Sequence, residues 1–542
     1  MKDWKDLLRD LKSAQRGSGQ GKKRTEESHN IGFEPPATWR VDGPRPPKKQ
    51  NATSLAPKSV SRVAAIVAPA TKSPPPASIP TPPTFKPRIG RGCVLNMPEW
   101  SDIGRSLQHP RHREGRSTPM TVRVGVDFGT AFTKVAIRAG FDLVPVEWSA
   151  VTGDDSEMGR YVVPGFIVRA SDGEFCWRRL TAADHRGNLK LPIIEMAGTH
   201  ECPIATVAYL ALVIRYARAF LYRNAEIGRK LVGRSLCWEL NIGCSTEPHE
   251  NPTVVDVFRR IARTAWLLAA EDRLAEQDVL AAWSLADSAI DLEAEPGVVP
   301  EFVAQIAGYL GSPQVKEGLH ALIDVGAATL DVATFNVVLR NDQTSLPRIP
   351  IFFSAVRHLG THYLRHNRHS RLGLDLSWND AAPVESSDDF GERHGKPLDA
   401  VVAVDEEFGG RVVQCVLHVI DTTRTNNRGD PNSAAWGEGL PIFVTGGGAN
   451  CDLYRRAIEQ VQVELIKRVG QRQGRATNFR FIELNPTAGN ARQIETSGRL
   501  NVALGLTEDA ENIARVVPHR DIEPITYGTR ERIDHTDLYG DH

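Results

Sequence analysis

At three places along the chain a short apolar or alternating run ends abruptly in glycine. These are Val124-Gly-Val-Asp-Phe-Gly-Thr-Ala-Phe-Thr-Lys134, Leu322-Ile-Asp-Val-Gly-Ala-Ala-Thr-Leu-Asp331 and Phe443-Val-Thr-Gly-Gly-Gly-Ala-Asn450. Each reads as a strand that stops in a tight turn. In the first two the strand pattern resumes after the turn, so residues 122–137 and 319–338 predict antiparallel hairpins, unlike the strand-to-helix turn of a dinucleotide fold. Both place an Asp at the end of the first strand, where the following backbone can turn its N–H groups toward an anion. The third run passes into a helical pattern through Ile458, and its glycines can lie flat under a ring or a phosphate.

Between these runs the pattern predicts strands over 141–148, 161–168, 174–177 and 235–242. Apolar residues recur at helical spacing over 206–221, and 252–270 predicts an amphipathic helix. Residues 281–286 read as a strand and 300–310 as a helix. A hairpin opening each half predicts a duplicated α/β body with a cleft between lobe I (121–315) and lobe II (316–510), followed by an extension over 511–542. Residues 378–396, rich in Asp, Glu and Gly, read as a polar insertion on the surface of lobe II.

Charge changes this picture at the N-terminus. Residues 1–120 hold 22 Lys/Arg against 10 Asp/Glu and 17 of the 35 prolines, a net of +12 that the remaining residues cancel. Such a segment buries little apolar surface and is expected to be a disordered tail. Trp4, Leu7, Leu8 and Leu11 fall on one helical face within it, which predicts a short docking helix for a protein partner. The tail has few interleaved aromatics and no recognition motif, which argues against nucleic acid. No stretch approaches the roughly 20 apolar residues that cross a bilayer, and the charged N-terminus is unlike a secretory signal, so a cytoplasmic protein is expected.

Other chemistries find less support. Seven scattered cysteines with no Cys-x-x-Cys pair argue against a disulfide framework and a zinc ribbon. His358, His362, His366 and His369 recur near helical spacing, but Arg357, Arg365, Arg368 and Arg371 surround them and the run holds no carboxylate. A solvated basic helix is expected there, not a metal site. No Gly-x-Ser-x-Gly elbow supports a hydrolase triad.

The three glycine segments resemble, in order and spacing, the phosphate 1, phosphate 2 and adenosine motifs of the actin, Hsp70 and sugar kinase superfamily. They are most similar to the Hsp70 nucleotide-binding domain and the bacterial actin-like proteins. Asp127-Phe-Gly-Thr130 resembles Asp-Leu-Gly-Thr, Asp324-Val-Gly-Ala-Ala-Thr-Leu-Asp331 resembles Asp-Leu-Gly-Gly-Gly-Thr-Phe-Asp, and Thr445-Gly-Gly-Gly-Ala-Asn450 resembles Val-Gly-Gly-Ser-Thr-Arg. Glu295-Pro296 resembles the first connecting motif and Asn501-Val-Ala-Leu-Gly505 the second. The likeness covers about residues 121 to 510 and implies a duplicated RNase H-like fold of two lobes around an interlobe nucleotide cleft, with ATP/ADP and Mg2+ as ligands.

It also implies roles. Asp127 and Asp324 would hold hydrated magnesium. Gly129, Thr130 and Ala131 would face the β-phosphate, and Gly326, Ala327, Ala328 and Thr329 the γ-phosphate. Lys134 or Lys190 would bring a positive charge to the phosphates, Glu295 and Asp331 would orient a water, with Glu295 the first choice, and Gly446, Gly447, Gly448 and Asn450 would border the adenosine. Ala327 and Ala328 stand where Hsp70 has glycines, and Asn450 where it has an arginine beside adenine. Fewer than 40 residues follow Gly505, too few for a peptide-binding domain and lid. The expected function is a nucleotide-dependent switch or chaperone-like regulator with slow ATPase activity. The alternatives are a filament former that self-associates, a small-molecule kinase and a pseudo-ATPase scaffold.

Overall fold

A computed structural model describes residues 95–525, apart from 113–117, 158, 178–184, 196–200, 287–294, 340–345, 381, 474–477, 485–497 and 510–512. In lobe I, β1 (Thr118–Phe128) pairs antiparallel with β2 (Phe132–Ala139), and β2 with β3 (Asp142–Pro145). On its other side β1 runs parallel to β4 (Arg234–Cys244), and β4 to β5 (Gly297–Pro300). Lobe II repeats the plan with β6 (Gly318–Val325), β7 (Leu330–Val337), β8 (Arg348–Arg357), β9 (Leu440–Thr445) and β10 (Phe479–Phe481). The orders are β3-β2-β1-β4-β5 and β8-β7-β6-β9-β10, identical in sequence and sense. The molecule is therefore the duplicated two-lobed α/β fold, with each glycine hairpin opening its own lobe.

The apolar pattern succeeds where burial is strongest. The C-terminal half of β1 and nearly all of β6 are buried, as expected for strands flanked on both edges and covered by helices. Lobe I is covered by α1 (Ile204–Arg223) and by α2 (Pro252–Leu268), whose first turn is capped by the Asn251 side-chain Oδ1 accepting from Thr253 N at 3.0 Å. Against the expectation that no stretch is long and apolar enough to cross a bilayer, α1 is so by length and composition, and it serves as a core helix with most of its residues buried. Its Arg215 donates to the carbonyls of Ala269 and Glu271, and the Arg218 guanidinium lies 3.7 Å from the Trp266 ring centroid.

Two helices exchange lobes. α3 (Glu301–Leu310) follows the last strand of lobe I, yet Phe302, Ile306 and Tyr309 pack against Leu322, Phe335 and Phe443 of lobe II. The short helix Asn501–Gly505, beyond the last paired strand of the second lobe's core order, packs Ala503 and Leu504 against Ala136 and Leu143 of lobe I. The two helices touch so closely that a Cβ on Gly505 would sit 1.9 Å from Ala304 O. Residues 498–509, expected within lobe II, thus return to lobe I, where Arg138 pairs with Glu508. From the expected extension, β11 (Arg515–Val517) adds a parallel strand beside β8.

Four further expectations change. Residues 281–286 are the end of a helix, Glu276–Leu285, with Val279, Ala282 and Trp283 buried on one face. A six-residue apolar run cannot separate strand from helix. Residues 95–112, within the expected tail, are folded on lobe I. Leu95 is fully buried, Trp238 Nε1 donates to Leu107 O at 2.6 Å, and Gly104 lies flat on α1. The Trp4 to Leu11 face and the Pro-rich stretch lie outside the described residues.

Most of the basic run forms α4 (Thr361–Arg371), and one face of it is not solvated, although Arg357, ahead of the helix, and Arg371 are exposed. His362, Arg365, Arg368 and His369 are all buried. Asp405, from α5 (Leu398–Thr425), accepts two bonds of 2.8 Å from Arg368, and Asp380 lies 3.0 Å from His362 Nδ1. These carboxylates come from elsewhere in the chain, which the local pattern could not show. The insertion 378–396 is accordingly more than a surface loop. It carries Asp380 and the helix Ser387–His394, and Ser387 Oγ donates to Asp405 at 2.7 Å.

Candidate functional site

The two hairpins face one cavity of about 360 Å³ between the lobes. Their registers are equivalent, since Asp127 is paired across its hairpin with Lys134 and Asp324 across its own with Asp331. In lobe I the pair is an ion pair, Lys134 Nζ donating to Asp127 Oδ2 at 2.6 Å. In lobe II both members are acids. Gln305 Nε2, from α3, donates to Asp324 Oδ2 at 2.7 Å, while its own carbonyl accepts from Thr445 Oγ1 at 3.0 Å. Thr246 N donates to Asp331 Oδ2 at 3.1 Å across the cleft, and Asp331 Oδ1 is buried with no partner among the described residues.

Burial shapes the electrostatics. It pushes the Asp324 carboxyl up to about 6, helped by the charges of Glu301 and Asp127 and opposed by Gln305 and Lys134. Burial likewise pushes Asp331 up to about 8 against the Thr246 hydrogen bond, with Asp324, Glu301 and Glu247 adding to the rise. Lys190 is buried, which alone would lower it, but its ion pair with Glu301 leaves it raised and charged. Ser245 Oγ donates to the other Glu301 oxygen at 3.4 Å.

The structure brings most of the expected residues together. Asp127, Lys134, Lys190, Asp324 and Asp331 line the cavity, as do Gly129, Thr130 and Ala131 from lobe I, Gly326, Ala327 and Thr329 from lobe II, and Gly446 and Gly447 beyond β9. The amides of Gly129 and Gly326 already donate within their turns, to Asp127 O at 3.1 Å and Thr329 O at 2.9 Å. The glycines therefore make the bends, and among the described residues the N–H groups of Thr130, Ala131, Ala327 and Thr329 are left to meet an anion. At Gly446, with φ +88°, a Cβ would lie 2.1 Å from Asp324 Oδ1, so only glycine leaves that carboxylate its space.

Four expected residues lie elsewhere. The Glu295 side chain is 60% exposed and paired with Arg263, outside the cavity, so it is not placed to orient a water there. Glu301, six residues on at the start of α3, is the carboxylate in the cleft. Ala328 is fully buried in the lobe II core beneath its loop, which explains an alanine where glycine was expected. Gly448 packs against Thr361 and Val325, and Asn450 is exposed on another face of the lobe.

Sequence reasoning also missed Gln305, Ser245 and Arg499. Glu301 and Gln305 stand four residues apart in an otherwise apolar helix, a spacing that puts both on one face and could have marked them. Arg499 carries no such signal. It lines the cavity and donates to Gly447 O at 3.2 Å, placing a guanidinium beside the glycine segment where Asn450 offers none. The insertion adds Asn379, Asp380 and the apolar Ala382, Pro383 and Val384 to the same wall.

No described group of three or more His, Cys, Asp or Glu could hold a metal by itself. The pair Asp127 and Asp324 nonetheless suits magnesium, which takes one or two carboxylates and completes its shell with water and phosphate oxygens. The orphaned Asp331 oxygen, the Gly446 cradle and the unused loop amides fit a hydrated cation and a polyphosphate.

No family model matches the chain, and no curated protein matches it. Among solved structures it is similar to the ethanolamine utilization protein EutJ from Carboxydothermus hydrogenoformans, at 12% identity and a TM-score of 0.30, over 71% of this chain and 90% of that one. So slight a likeness carries no weight for function, and the fold is read from the strand order of the two sheets.

Proposed function

We propose that the protein binds magnesium and ATP in the interlobe cleft and hydrolyses the nucleotide slowly, using the bound state to set the angle between its lobes. The supporting observation is the convergence of two register-equivalent hairpins, each ending in an Asp, on a cavity that also holds the buried Lys190 and Glu301 pair. Asp127 and Asp324 would hold the hydrated cation, and the nucleotide supplies the transferable phosphoryl group. Thr130, Ala131, Ala327 and Thr329 present fixed N–H donors to charge that spreads as that group leaves, a form of preorganised stabilisation. Glu301 is positioned to orient the attacking water, with Lys190 and Ser245 holding its two oxygens.

The lobes are joined by the α3 and Asn501–Gly505 crossing and by contacts across the cleft, Thr246 to Asp331 and Glu247 Oε2 accepting from Val356 N at 2.6 Å. A ligand held by both hairpins would favour the closed arrangement by its differential contacts there. A partner protein reading that arrangement would make the chain a nucleotide-dependent switch. Small-angle scattering with ATP, a non-hydrolysable analogue and ADP tests this directly. The expected result is a smaller radius of gyration with the triphosphates than with ADP. Superimposable curves in all three states contradict a switch.

A further inference from the structure

Ser245 stands at the N-cap of the short helix Thr246–His249, where Pro248 has no N–H to offer and only Glu247 N could be capped. Here it makes no such cap. The hydroxyl turns into the cleft and donates to Glu301 Oε2 at 3.4 Å, although the residue is only 4% exposed. An alcohol beside a carboxylate is the geometry of a nucleophile and its general base, which is often loose until substrate is bound. The next residue donates its N–H to Asp331, and Ser245, Glu301, Asp324 and Asp331 all line the same cavity.

We propose that Ser245 is a phosphoryl acceptor, so that the protein phosphorylates itself inside its own nucleotide cleft. The inference rests on the proposed binding of a nucleoside triphosphate there. Ser245 Oγ attacks the γ-phosphorus and forms a new O–P bond. The bond from that phosphorus to the β,γ-bridging oxygen breaks, its electron pair leaving with the nucleoside diphosphate. The hydroxyl proton passes to Glu301. A hydroxyl fixed on the protein competes with water through its high effective concentration, so part of the turnover is diverted from hydrolysis to the serine.

The test incubates full-length protein with magnesium and γ-labelled ATP, reads the intact mass, and maps the label by tandem mass spectrometry. Nucleotide binding is followed separately with a fluorescent ADP. One phosphoryl group on Ser245 is expected, absent with ADP alone and retained in Ser245→Thr, which keeps a hydroxyl. Ser245→Ala should lose the label while still binding the fluorescent ADP, and Glu301→Gln should slow labelling by about 10²- to 10⁴-fold. Label on any other residue, or none on wild-type protein that binds the nucleotide, overturns the inference and leaves the binding site standing. Absence of fluorescent ADP binding overturns both.

Discussion

The two hairpins share one register and differ at one chemically decisive position. Seven residues after the strand-end Asp, lobe I has Lys134 and lobe II has Asp331. In lobe I the carboxylate is neutralised by a 2.6 Å ion pair. In lobe II the buried Asp331 faces the half-buried Asp324, with one amide donor, Gln305, on Asp324 and one N–H on Asp331, and both are pushed toward the protonated form. The duplicated frame thus gives one half whose acid is already matched by a cation and another that is short of one. A ligand carrying both an anion and a divalent cation resolves the imbalance from both sides.

The largest effect is expected from removing the acid of lobe I. Asp127→Ala should abolish the magnesium-dependent protection that ATP gives against thermal unfolding, since it deletes a cation ligand and leaves Lys134 unpaired. Unchanged protection in that variant would exclude Asp127 from the site. Glu301→Gln should come next, lowering phosphate release in steady-state assays by about 10²- to 10⁴-fold while calorimetry still detects nucleotide binding. A full loss of binding instead would make Glu301 a structural residue.

The acid pair of lobe II yields a sign that can be checked. Asp331 is raised in the folded protein from the ordinary carboxylate value of 3.8 to about 8. Its contribution to stability is therefore fully present below about pH 4 and is lost as pH rises through 8. Asp331→Asn keeps an acceptor for Thr246 N and removes the titration. Without ligand it should be more stable than wild type at pH 9 by on the order of a few kcal/mol, the difference closing toward pH 4, as read by urea unfolding. A pH-independent difference would show that Asp331 does not titrate in that window. The smallest effect is expected at Arg499. Arg499→Ala should weaken ADP by about fivefold, as for a lost cation–π contact of about 1 kcal/mol, and leave pyrophosphate binding unchanged.

The same contrast explains what was legible in the sequence. Periodicity exposed the hairpins because β1 and β6 are central strands whose apolar runs end at a glycine turn. The Asp, Gly and Thr residues at those turns lie next to one another in the chain, so their spacing carried the site. Glu301 was missed because the Glu-Pro pair at 295–296 resembles the connecting motif and drew the choice, although the helix expected over 300–310 forms and carries Glu301 in its first turn, with β5 between the two. Arg499 and the insertion wall reach the cavity only through the return of the chain to lobe I and the docking of 378–396 on α4. Buried Arg368 illustrates the same limit, since its partner Asp405 is 37 residues away on another helix. Local pattern reports an element and its own turn chemistry, and it cannot report which distant charge makes a basic helix suitable for burial.

Isothermal titration calorimetry of ATP into the full-length protein, with magnesium and then with excess EDTA, addresses the central claim most directly. Two lobes sharing one cation-bound triphosphate predict a single site per chain whose heat falls sharply when the metal is removed. No heat at millimolar nucleotide, or an isotherm unaffected by EDTA, would contradict it.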